Sequence, residues 1–252
     1  RTIFDRWREQ QHRVRMVLAQ ELAPRTRRPE IAIIGREHLD AALAGGNGAI
    51  LWACDLAHQK ILGKRGLSEA GFRIHQVSSH RHGFVRSRFA DATLNRLLKA
   101  IENRYLASRI TFDRKDTFSV TRQGLRVLKM GEPVVFTNFP FAGSLFVEVT
   151  LGRTGALSMP TSVLGMALRH NVPLLCMTAV ETVPLEKYEI RITQDIARSV
   201  RHPDRPHIER GKATLRDYAA MAEIAFKARD VLMETISPAP EQLSQWEGMG
   251  GT

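Results

Sequence analysis

The 252-residue sequence holds two cysteines, Cys54 and Cys176, each inside an apolar run and with no CxxC. Such usage supports neither a zinc site nor a disulfide framework. The pair reads as reduced, buried small hydrophobes of a cytoplasmic protein. No apolar run approaches the ~20 residues that span a bilayer, and no signal-peptide pattern is visible. The chain opens on Arg1 rather than Met, which leaves room for a segment upstream. GxGxxG and the P-loop are absent, so a nucleotide cofactor has no support. Neither Ser144 nor Ser158 lies in a GxSxG elbow, and a covalent acyl-enzyme is not expected from them.

Acidic residues are also in short supply: 26 against 37 Lys plus Arg, a net charge of +11. A surplus of this size predicts an anionic partner, whether phosphate, acidic lipid headgroups, an acidic carrier protein or nucleic acid. Nucleic acid is disfavoured, because no aromatic-interleaved RNA motif, zinc-finger spacing or basic zipper occurs. The basic residues cluster near Arg25–Arg28, Arg81–Arg88 and Arg198–Arg210.

Strand and helix patterns alternate along the chain. Residues 4–22 give a loose apolar stripe among arginines, read as a helix that docks on the core or lies on a membrane surface. IAII (31–34), GAILWAC, FRIHQV (72–77), EPVVFTN (132–138), VPLLCMTAV (172–180) and YEIRIT (188–193) read as strands. Residues 36–43, 89–103, 116–129, 160–170 and 211–236 read as helices. Asp55 is a candidate N-cap for a helix reaching about Leu62, and Ser158 a candidate cap for the helix at 160. These patterns predict an α/β fold, a central mostly parallel or mixed sheet flanked by helices. Residues 1–30 carry the basic N-terminal helix and 31–252 form one domain.

Four stretches, in order, resemble the lysophospholipid-type acyltransferases: REHLDAALAGGNGAIL, FDRKD with GEPVVF, LGRTGALSMPTSVLGMALRHNVPLLCM (151–177), and PEQLSQWEG (240–248). The nearest branch is that of the lipid A late acyltransferases and phosphatidylinositol-mannoside acyltransferases. The resemblance implies transfer of an acyl group from a coenzyme A or acyl-carrier-protein thioester to a hydroxyl or amine. It implies no bound cofactor; the phosphopantetheine thioester is the donor substrate. The family's signature is a His base followed five positions on by an orienting acid. In the matching stretch, WACDLAHQK (52–60), Asp55 stands where the His belongs and Lys60 where the acid belongs.

The residues present offer alternatives. Asp55 and His58, three apart on a helix, would share a face and form a rearranged dyad. Asp55 would act alone if burial raised its pKa. The plainer reading makes Asp55 a cap and His58 a helix-surface residue. SSHRHGFVRSRF (78–89) concentrates His80, His82, Arg86 and Arg88, a set suited to phosphate or carboxylate, or a solvated basic loop. A third metal ligand is missing at any telling spacing, so no metal is expected. The resemblance puts Arg104 near an arginine that faces the catalytic pocket, where it would stabilise an oxyanion; the alternative is an ion pair with Glu102 or Asp113. Phe139, in TNFPFAG, is a candidate for acyl-chain contact or core packing, and Arg153 matches a basic position that meets phosphate. The expected place of work is the cytoplasm, with peripheral contact at the inner membrane face. Against the acyltransferase reading stand a non-catalytic acyl- or carrier-binding partner and an enzyme with a changed thioester reaction, hydrolysis or condensation.

Overall fold

A computed structural model describes residues 2–23, 28–79, 94–112, 117–137, 145–152, 155–201 and 214–244. It is an α/β fold on a seven-stranded mixed sheet. The elements are α1 (Ile3–Leu22), β1 (Glu30–Ile34), α2 (Arg36–Ala44), β2 (Ala49–Ala53), a π-helical turn (Gln59–Gly63) leading into α3 (Lys64–Glu69), β3 (His75–Ser79), α4 (Leu94–Asn103), β4 (Ser108–Phe112), α5 (Thr117–Leu128) and β5 (Pro133–Thr137). They continue with the hairpin β6 (Phe146–Leu151) and β7 (Gly155–Pro160), α6 (Thr161–Arg169), β8 (Leu174–Val183), β9 (Lys187–Ile192) and α7 (Leu215–Ile236).

The strand order is β1-β9-β8-β2-β5-β3-β4. β8, β2, β5, β3 and β4 run parallel, and β9 turns back antiparallel on β8 with β1 parallel beside it. Central strands read as unbroken apolar runs because both faces are covered. On β2, Ile50 and Trp52 face α5, α6, α7 and the hairpin, while Ala49, Leu51 and Ala53 face α2 and α3. Val17, Leu98, Ile101 and Tyr188 form a third cluster that ties α1 and α4 to the π-helical turn.

α1 docks by its polar residues as well. Its capping box, Thr2 with Asp5, starts the helix. The buried Glu21 carboxylate accepts from Arg65 at 2.8 Å and from the Tyr105 hydroxyl, and Arg65 also donates to the Pro29 carbonyl. The buried Glu102 in turn takes the buried Lys64 at 3.1 Å and the partly buried Arg109 at 2.7 Å. Burial, the largest effect, pulls the Lys64 ammonium down to about 8 despite Glu102.

Several sequence expectations change. The strand expected over 72–77 begins at His75 and runs to Ser79. β4 and the β6–β7 hairpin, not anticipated, occupy stretches read as links. Ser158 is a β7 residue whose hydroxyl donates to Glu148 across the hairpin, and Pro160 precedes α6. Asp55 does not cap a helix. Leu56 first makes a bridge to Leu243, and helical structure begins only at Gln59.

Candidate functional site

β2 leads through α3 to β3 on one side of the sheet, whereas its neighbour β5 leads through the hairpin and α6 to β8 on the other. Adjacent parallel strands whose connections part in this way leave a crevice outside their carboxyl ends, the usual ligand position in open α/β sheets. Trp52 pairs with Phe136 and Ala53 with Thr137 at that edge. Asp55 is the second residue beyond it.

The chain does not curl into a helix on leaving β2. The Cys54 amide donates to the Met177 carbonyl at 2.9 Å, the Asp55 carbonyl accepts from the Ser244 amide at 3.1 Å, and the Ala57 amide donates to the Gln242 carbonyl at 2.8 Å. Residues 242–244 therefore act as a short extra strand that holds Asp55 partly buried at the crevice. Burial and then the Asp55 charge push the Cys54 thiol up to about 12. An inert thiol of this kind is no nucleophile.

His58 points into the protein and is 3% exposed. Its ring packs edge-on against Tyr188, centroids 4.8 Å apart. The carboxylate beside it is Glu181, 4.0 Å from Nε2, rather than Asp55. Arg13 donates to Gln10 Oε1 at 3.2 Å, which turns the Gln10 amide nitrogen toward His58 Nε2 at 2.6 Å. Nε2 is then the acceptor and Nδ1 carries the proton, buried with no hydrogen-bond partner among the described residues. Burial, the dominant effect, pulls the imidazole down to about 4; Glu181 opposes and Arg13 reinforces this. Burial works to raise the Glu181 carboxyl, but hydrogen bonds from the Leu185 amide, Arg13 at 2.6 Å and the Tyr188 hydroxyl at 2.8 Å hold it below its ordinary range. Gln242 brackets the Glu181 backbone at 2.7 and 2.9 Å. Sequence reasoning passed over this network. Its one local signal is Glu181, an acid that ends the apolar run VPLLCMTAV.

Arg104 lies beyond the end of α4, where the chain returns to begin β4. That is the amino edge of the parallel strands, roughly 16 Å along a five-residue strand from the edge that Asp55 occupies. Its guanidinium donates to the Glu21 carbonyl at 3.0 Å and so satisfies the last turn of α1. Glu102 pairs with Lys64 and Arg109 instead. Asp55 and Arg104 are not brought together. His80, His82, Arg86, Arg88, Phe139 and Arg153 lie outside the described residues. Among the described residues no cluster of three His, Cys, Asp or Glu could hold a metal, and no helix is long and apolar enough to cross a membrane.

No protein-family model and no curated protein matches this chain.

Proposed function

We propose that this protein binds an acyl thioester of a carrier protein or coenzyme A at the β2–β5 crevice and transfers the acyl group to a hydroxyl or amine. The observation that carries the reading is the exit of β2 at the switch of the sheet, with Asp55 held there by residues 242–244. The acceptor attacks the thioester carbonyl carbon, Asp55 takes the acceptor's proton, and the C–S bond breaks with that proton passing to the leaving thiol. An amine suits this site better than an alcohol: its lone pair attacks first, and the weak carboxylate base acts on the ammonium formed afterwards. His58 serves as a buried support for the turn, since a base must reach the proton it removes and its ring is covered.

The +11 charge suits an acidic carrier. On the exposed side of α1, Phe4 and Met16 stand near Arg8 and Arg15, which supports peripheral contact with an anionic membrane surface from the cytoplasm. One observation favours a second reading, a non-catalytic acyl- or carrier-binding partner: the only histidine of WACDLAHQK is buried and committed to Gln10.

The test is intact-mass turnover of acyl-loaded carrier protein and acyl coenzyme A with pooled amine and alcohol acceptors. Acyl transfer that falls at least tenfold in Asp55→Asn supports the enzyme reading. Release as free acid would indicate hydrolysis, and binding without acyl loss would favour the partner reading.

A further inference from the structure

The amino edge of the same sheet carries a second arrangement of reactive groups. β5, β3 and β4 are neighbours, and the residues at their starts fall side by side: Glu132 immediately before β5, His75 first in β3, Ser108 first in β4 and directly opposite His75. The Ser108 hydroxyl lies 2.7 Å from His75 Nδ1, and His75 Nε2 lies 2.5 Å from Glu132 Oε2. Arg73 donates to the other carboxylate oxygen at 2.8 Å. Burial works to raise the Glu132 carboxyl, but hydrogen bonds from His75 and Arg73 hold it below its ordinary value.

An ionised carboxylate only accepts. His75 Nε2 therefore carries the proton toward Glu132, and in the neutral ring Nδ1 is left as an acceptor. Ser108 must then donate its hydroxyl proton to Nδ1. This is the arrangement of an activated nucleophile: a hydroxyl bonded to an imidazole whose tautomer and orientation an acid fixes. The burial is graded to match. Ser108 is exposed, Glu132 half-buried and His75 buried at 5%. The Arg73 side chain, 74% exposed, donates to Glu132 through Nε, and its remaining N–H donors, with no bond among the described residues, stand where charge would develop beside the site.

We propose that Ser108, His75 and Glu132 form a second, hydrolytic site that acts on small activated carboxylic esters. The Ser108 nucleophile and Arg73 are exposed, so a good leaving group takes the place of binding energy. Ser108 Oγ bonds to the ester carbonyl carbon while its proton moves to His75 Nδ1. The tetrahedral adduct expels the alcohol, which takes that proton, and leaves an acyl-serine. Water then attacks the acyl carbon, gives one proton to His75, and the acid departs as Ser108 recovers it. The sum is ester plus water to acid plus alcohol. Glu132 orients the ring and steadies its charged form. This site lies on the edge opposite Asp55 and does not depend on the thioester reading.

The experiment treats the full chain with a fluorescent alkyl fluorophosphonate, which bonds to an activated serine with loss of fluoride, and maps the adduct by peptide mass. Hydrolysis of p-nitrophenyl acetate is followed in parallel. The expected result is one adduct, on Ser108, absent in Ser108→Ala and formed at least tenfold more slowly in His75→Asn and Glu132→Gln. Glu132→Gln replaces a partly exposed carboxylate by a near-isostere and decides the matter if His75→Asn does not fold. Absence of an adduct on Ser108 in the wild type, or an unchanged rate in Glu132→Gln, overturns the proposal.

Discussion

A histidine held neutral inside a protein is a sensor of acid even when it takes no part in chemistry. His58 sits near 4 when folded against an ordinary 6.5. Between those values the unfolded chain binds the proton and the folded one does not, so stability falls as pH drops through that window. The shift corresponds to about 3 kcal/mol. Urea unfolding at pH 7.5 and pH 4.5 should show a loss of that order in the wild type, and a loss smaller by most of it in His58→Asn. Glu181 adds to the same trend at lower pH, because its depressed carboxyl loses its contribution as pH falls through the folded value. None of this could be read from spacing. Asp55 and His58 are three apart, which predicts a shared helix face, but pairing of Leu56 with Leu243 delays the helix until both have passed. The groups that meet His58, from Gln10 to Glu181, are remote in sequence.

Elements are joined here by close backbone approaches and by buried ion pairs, and both make checkable demands. Gly35 turns from β1 into α2 at φ +79, and a Cβ there would come 2.1 Å from the Ile192 carbonyl oxygen. Gly46 has a similar φ, +76, with nothing within 4 Å. Gly35→Ala should therefore cost more than ~2 kcal/mol and Gly46→Ala only about 1 kcal/mol, compared by denaturant midpoints, because the second carries the left-handed penalty without the collision. For the α1 dock, Glu21→Leu or Arg65→Met alone strands a buried charge and should cost about 3–5 kcal/mol, whereas the two together should cost less than their sum.

The helices and apolar strands were legible because burial imposes their periods: β2 and β8 as unbroken runs, α7 from its stripe. β4 was not, since SRITF is short and sits between two helical patterns. The β6–β7 hairpin alternates over only part of each strand: Val149, Leu151, Leu157 and Met159 enter the core, while Phe146 and Val147 are only half-buried and Glu148 and Thr150 are exposed. At the edge of the sheet, His75 and Ser108 begin β3 and β4 and Glu132 precedes β5, and the spatial order of these strands, β5-β3-β4, differs from their order in the chain.

For the whole molecule, charge and topology set the terms. Binding of the acidic carrier proposed above should, with an excess of 11 positive charges, weaken at least tenfold as salt rises from 50 to about 500 mM, measured by titration calorimetry, because screening shortens the reach of the field. Topology bears on how the molecule comes to exist. Trp7 donates to the Leu243 carbonyl 236 positions away, and Leu243 also closes the bridge at Leu56. Synthesis is vectorial, so strand β2 leaves the ribosome long before the segment that completes its exit has been translated. Until then the WACDLAHQK stretch lacks its last partner and Trp7 its acceptor. The exit of β2 is thus among the last parts of the protein to be finished, and a nascent chain short of residue 242 would leave it without its closing partner.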